Sequence, residues 1–165
     1  MFALNAVPAG SKTELYLELL EQARALLEGE RDPIANAANL ASLIFHALPD
    51  LNWVGFYRMS GGELVLGPFH GKPACVRIGL GKGVCGTAAR DRRTIIVPNV
   101  DDFPGHIACD SASRSEIVVP IVIHGVNVAG VLDVDSPKLA RFDEADARGL
   151  EAIVHTYIRA SDLGA

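Results

Sequence analysis

Positive charge is in short supply here: 15 Lys and Arg stand against 20 Asp and Glu, a formal net charge of −5. No basic stripe runs along the chain, which argues against a nucleic-acid partner. No apolar run approaches the roughly 18 residues of a membrane helix. The opening Met1-Phe2-Ala3-Leu4 segment has neither the basic start nor the apolar centre of a secretion signal, so the expected compartment is the cytoplasm. Cysteines number only three, Cys75, Cys85 and Cys109. An odd count in a chain without a secretion signal argues against a structural disulfide framework and leaves inert buried thiols, metal ligands or redox-active residues. Internal repeats, low-complexity tracts and linkers are missing too, so residues 1–165 read as one domain.

What is present is a globular composition, 49% hydrophobic and 21% charged. Two helices are expected over residues 11–48. Ser11-Lys12-Thr13-Glu14 forms a capping box for the first, and Asp32-Pro33 starts the second. In the second helix Ile34, Ala37, Ala38, Ala41, Ile44, Phe45 and Leu48 form the stripe expected to face the core. Residues 51–135 read as strands and site loops. Strands are expected at 51–59, at 63–69 after the Ser60-Gly61-Gly62 turn, and at about 74–78. A Gly-rich turn then leads into a short helix ending near Asp91. After it come a brief strand at 94–97 and strands at 116–123 and 126–135. Asp143 caps a last helix over 143–161. The order predicts an α+β fold: a mostly antiparallel central sheet with helices packed on one face.

Several residues invite chemical readings. Gly81-Lys82-Gly83-Val84-Cys85-Gly86 matches the dinucleotide fingerprint, and Asp101 lies at the fingerprint's distance. The following segment is nevertheless too short for the crossover of a βαβ unit. The glycines fit a tight turn into a short helix, whose first N–H groups suit a carboxylate or a thiolate at Cys85. Pro98–Ser113 shows no periodicity, and loops of that length tend to be functional. It carries His106 and Cys109. The thiol there is either accessible and reactive or without a role. Zinc held by His106, Cys109 and another cysteine would lack the usual paired spacing, so no metal is expected. Asp133 and Asp135 share one face of a strand, and Glu116 opens its neighbour. A polar strand end would explain Asp135 but not Asp133. Trp53, Gly55 and Tyr57 also share a face, either as core or as an aromatic wall with a gap.

Together these segments resemble the free methionine-(R)-sulfoxide reductase family, a branch of the GAF-domain fold. The resemblance is carried by Asn52-Trp53-Val54-Gly55-Phe56-Tyr57, Gly67-Pro68-Phe69 with Ala74-Cys75, Gly83-Val84-Cys85-Gly86, Gly105-His106-Ile107-Ala108-Cys109-Asp110, Ser115-Glu116-Ile117-Val118-Val119-Pro120 and Gly130-Val131-Leu132-Asp133-Val134-Asp135-Ser136. They run in the family's order, with all three of its cysteine positions filled.

The resemblance implies reduction of the free amino-acid sulfoxide without a bound cofactor. Cys109 would be the nucleophile, Cys75 would resolve it to a disulfide, and thioredoxin would be the external reductant. Cys85 would be a second resolving thiol or would exchange roles with Cys109. Glu116 and Asp135 would hold the sulfoxide oxygen, Asp133 the ammonium, and Trp53, with Tyr57 beside it, the S-methyl group. The family's domains often pair through their helices, so a homodimer is expected on that ground alone. Two other classes remain open to the residues themselves: a GAF module sensing a small molecule, and a thiol redox sensor.

Overall fold

The computed structural model describes residues 10–107 and 110–164; Cys109 lies outside them. Helices α1 (Lys12–Leu27) and α2 (Pro33–Ala47) precede strands β1 (Trp53–Ser60), β2 (Glu63–Gly71) and β3 (Arg77–Gly79). Helix α3 (Gly83–Asp91), strand β4 (Ile95–Val97), a 3-10 turn (Val100–Asp102), β5 (Ser115–Ile123), β6 (Asn127–Ser136) and α4 (Glu144–Ala160) complete the chain. The six strands form one antiparallel sheet in the order β3-β2-β1-β6-β5-β4.

The helix starts follow the residues that encode them. Ser11 and Glu14 form the reciprocal capping box of α1. Asp32 caps α2 by accepting from the Ala35 amide. Asp143 and Asp146 form a second capping box at α4. Asp146 is wholly buried, accepts from the Tyr16 hydroxyl at 2.9 Å, and pairs with Lys12 and Arg141 at 2.5 and 3.0 Å. That network ties α1 to α4.

Strand alternation divides the sheet. Val54, Phe56, Ile117, Val119, Ile121, Leu132 and Val134 point into a core closed by α1, α2 and α4. The other face carries Trp53, Tyr57, Val118 and Val131, with Val84, Cys85, Ala88 and Ala89 of α3 packed on it. Three long helices thus cover one side, and the short α3 alone lies on the other.

Two local expectations shift. The third strand begins at Arg77, where pairing to Val65 starts, not at Ala74. In α2, Ile34 is 51% exposed and Ala38 is exposed, while Asn36, Leu40 and Leu43 turn inward. The Asn36 amide donates to Ser161 Oγ at 3.0 Å and to the Glu30 carbonyl at 3.2 Å. With both its bonds made inside, Asn36 rotates the buried stripe away from Ile34.

Candidate active site

The second face of the sheet holds an unusual concentration of acids. In the β5–β6 ladder Glu116 stands opposite Asp135, and Val118 opposite Asp133. Across β1, Asp135 is paired with Trp53 and Asp133 with Gly55. Because side chains alternate, Glu116, Asp133 and Asp135 all project to the α3 side. Glu116 and Asp133 are buried, whereas Asp135 is half-buried.

Helix α3 brings the thiol. Cys85 is the third residue of the helix and is buried, its Sγ 4.0 Å from Glu116 Oε1. Cys85 Sγ, one oxygen of Glu116 and one of Asp133 all lie within 4.8 Å of one another. Close seating of the helix depends on Gly86, whose Cβ would come 2.3 Å from the Gly79 carbonyl oxygen. That is the physical use of the third glycine in the fingerprint-like run. The preceding strand, β3, is only three residues long, and α3 leads from it to β4 at the opposite edge of an antiparallel sheet, so no parallel βαβ unit forms.

A cavity of about 30 Å³ opens among Ile78, Lys82–Cys85, His106, Ile107, Asp110, Ser113 and the three acids. That is room for a water or two. A whole amino acid exceeds this volume, and one side of the cavity is the loop carrying His106 and Ile107. Ile107 presses on Gly83, where a Cβ would stand 3.2 Å from its Cγ1. On its far side the loop is tied down by Asp110. This carboxylate accepts from Asn52 Nδ2 at 3.2 Å and from the Ala112 amide at 2.9 Å, and it faces Lys72 at 3.4 Å. Asn52 also donates to Ser113 Oγ at 3.0 Å. The roles of Asn52, Asp110, Ser113 and Ile107 were not read from sequence. Polar loop residues look alike until their partners, 58 and 61 positions away for Asn52, are known.

The electrostatics follow from burial. Desolvation, then the charge of Asp135, pushes the Glu116 carboxyl well above the ordinary range. Asp133 rises through burial and then Glu116. Asp135 rises through burial, Asp133 and Asp110, partly offset by a hydrogen bond from Ser113. The Cys85 thiol is pushed up by burial, then by Asp133 and Glu116. Burial and the neighbouring acids thus favour the neutral form of each carboxyl and of the thiol. His106 Nε2 lies 3.4 Å from Glu116 Oε2, and burial lowers the imidazole pKa. Asp133 Oδ1 is buried and has no hydrogen-bond partner.

The predicted site residues thus divide. Cys85, Glu116, Asp133 and Asp135 converge on the cavity. Trp53 and Tyr57 are not among its lining residues; both are buried in the core beneath. The gap expected between their rings is filled: a Cβ on Gly55 would collide with the Trp53 ring at 2.2 Å. Trp53 stacks on Tyr57 and on Phe69, with centroids 5.9 and 5.4 Å apart. Its Nε1 donates to the Lys72 carbonyl, and Tyr57 Oη donates to the Cys75 carbonyl. Cys75 is disulfide-bonded and Cys85 is a free thiol.

A GAF-domain family profile matches residues 35–160. Among curated proteins, free methionine-R-sulfoxide reductase of Escherichia coli is 47% identical over 144 residues, covering 87% of each chain. The chain belongs to this family. The structure of the family's Neisseria meningitidis reductase in complex with its substrate has 45% identity and a TM-score of 0.92, covering 97% of this chain and 95% of that one. Protein YtsP of Bacillus subtilis is 51% identical over 92% of this chain and 94% of its own length. No helix among the described residues is long and apolar enough to cross a membrane.

Proposed function

We propose that this protein reduces free L-methionine (R)-sulfoxide to methionine, working in the cytoplasm without a bound cofactor. One observation carries the reading: three carboxyl groups with raised pKa converge on a cavity whose wall includes Ile107 and Asp110, the described residues that flank the Cys109 position. A sulfoxide sulfur is a poor electrophile until its oxygen is protonated. A carboxylic acid that keeps its proton near neutral pH is therefore the group the reaction needs.

In this reading Glu116, assisted by Asp135, donates to the sulfoxide oxygen while the Cys109 sulfur attacks the sulfoxide sulfur. Oxygen passes to Cys109 as a sulfenic acid, and methionine leaves as the two-electron-reduced sulfide. The Cys75 thiol then attacks the sulfenic sulfur, releasing water and forming a disulfide. A thioredoxin dithiol restores both thiols. The disulfide state of Cys75 supports its resolving role. Cys85, held as a neutral thiol beside Glu116, is the reserve thiol of the site.

Binding would use both ends of a free amino acid. The unpartnered Asp133 oxygen suits the ammonium. The first amides of α3, where Lys82 supplies no side-chain cap, suit the carboxylate. Methionine within a peptide has neither charged end. Trp53 would meet the S-methyl group once loop displacement uncovers its ring, with Tyr57 supporting it from behind. Pairing of two copies through their helices is part of the same reading.

The test couples the purified protein to thioredoxin, thioredoxin reductase and NADPH. NADPH loss confined to the free R-sulfoxide is expected. A flat trace, or equal turnover of the S-isomer or a peptide sulfoxide, would refute the assignment.

A further inference from the structure

We propose that Cys85, Glu116 and Asp133 form a binding site for a thiophilic divalent cation, Zn²⁺, inside the acid-lined cavity. The three donor atoms lie within 4.8 Å of one another. Zinc–sulfur and zinc–oxygen bonds of about 2.3 and 2.0 Å in a tetrahedron put neighbouring ligands roughly 3.3–3.7 Å apart. The 4.0 Å between Cys85 Sγ and Glu116 Oε1 therefore closes with a shift of a few tenths of an ångström. Asp133 Oδ1 is the independent sign of a missing ligand. Its residue is 93% buried, lines the cavity, and leaves this oxygen without a partner.

The donor chemistry selects the metal. A thiol among carboxylates suits borderline zinc and not the oxygen-loving Mg²⁺ or Ca²⁺. His106, whose Nε2 is 3.4 Å from the other Glu116 oxygen, stands outside this set of three, and the fourth position would fall to a solvent molecule. A cavity of about 30 Å³ has the size of an ion, whereas a whole amino acid exceeds it. The three donors stand on regular elements, α3, β5 and β6, so little ordering is required on binding. This donor set differs from the His106–Cys109 arrangement considered from spacing.

The site stands without the proposed activity, but its consequence rests on that reading. Zinc would take Glu116 and Asp133 from the substrate and inhibit competitively, with a proton released from each bound acid or thiol.

The test uses Co²⁺ as a spectroscopic probe on the fully reduced chain carrying C75S and C109S, where Cys85 is the sole thiol. One equivalent of Co²⁺ should give a thiolate-to-cobalt charge-transfer band with tetrahedral d–d absorption, and Zn²⁺ should displace it. Adding Asp133→Asn should weaken the affinity at least tenfold while the circular dichroism spectrum is kept. No thiolate band, or an affinity unchanged by Asp133→Asn, overturns the site. If the band forms but zinc does not compete with sulfoxide in the wild-type enzyme, the metal site stands and the substrate assignment of the cavity fails.

Discussion

Glu116 and Asp135 face each other directly across the β5–β6 ladder on the α3 side of the sheet. Opposed like charges on neighbouring strands are destabilising, and burial followed by the Asp135 charge raises the Glu116 pKa. If the Glu116 proton is the one delivered to the sulfoxide, Glu116→Gln keeps the shape of the site and removes the acid. A kcat loss of about 10²- to 10⁴-fold is expected, with KM changed much less. Steady-state kinetics decides; an effect confined to KM would contradict the role.

The raised acids also govern stability. A carboxyl whose pKa is higher in the folded chain than in the unfolded one stabilises fully below the ordinary carboxylate range. It loses that contribution as pH rises through the folded value. Glu116, Asp133 and Asp135 all shift this way. Denaturant midpoints should therefore fall between about pH 5 and pH 8, each proton contributing up to about 1.4 kcal/mol per pH unit. Asp133→Asn should flatten this dependence. A variant curve parallel to the wild type would show that Asp133 ionises normally.

The cysteines separate cleanly by variant. Cys109→Ser should abolish turnover with the fold intact, and substantial residual activity would move the nucleophile to Cys85. Cys75→Ser should release about one equivalent of methionine and then stall in the thioredoxin cycle. Mass spectrometry after one equivalent of substrate shows which two sulfurs have joined.

Gly86→Ala tests the seating of α3. Its new Cβ would press on the Gly79 carbonyl oxygen, displacing the helix that carries Cys85. Overpacking of this kind costs about 1–3 kcal/mol. A lowered thermal midpoint together with lost activity is expected. Unchanged stability would mean that the helix does not need this close approach.

Much of this protein was determined by sequence alone. The caps at Ser11, Asp32 and Asp143, the antiparallel strands and the shared face of Asp133 and Asp135 all depend on spacing within one segment, which backbone geometry translates directly. The family signature singled out Cys85, Glu116 and the two aspartates, and these four line one cavity. Tertiary structure decided the rest. It buried Ile34's neighbours in place of Ile34, filled the space above Gly55 with the Trp53 ring, and set Asn52 against Asp110 and Ser113. Asn52 meets partners 58 and 61 positions away, Asn36 meets Ser161, 125 positions away, and the Trp53 ring lies over Gly55 with Phe69 of the neighbouring strand stacked on it. Local periodicity contains no term for any of these.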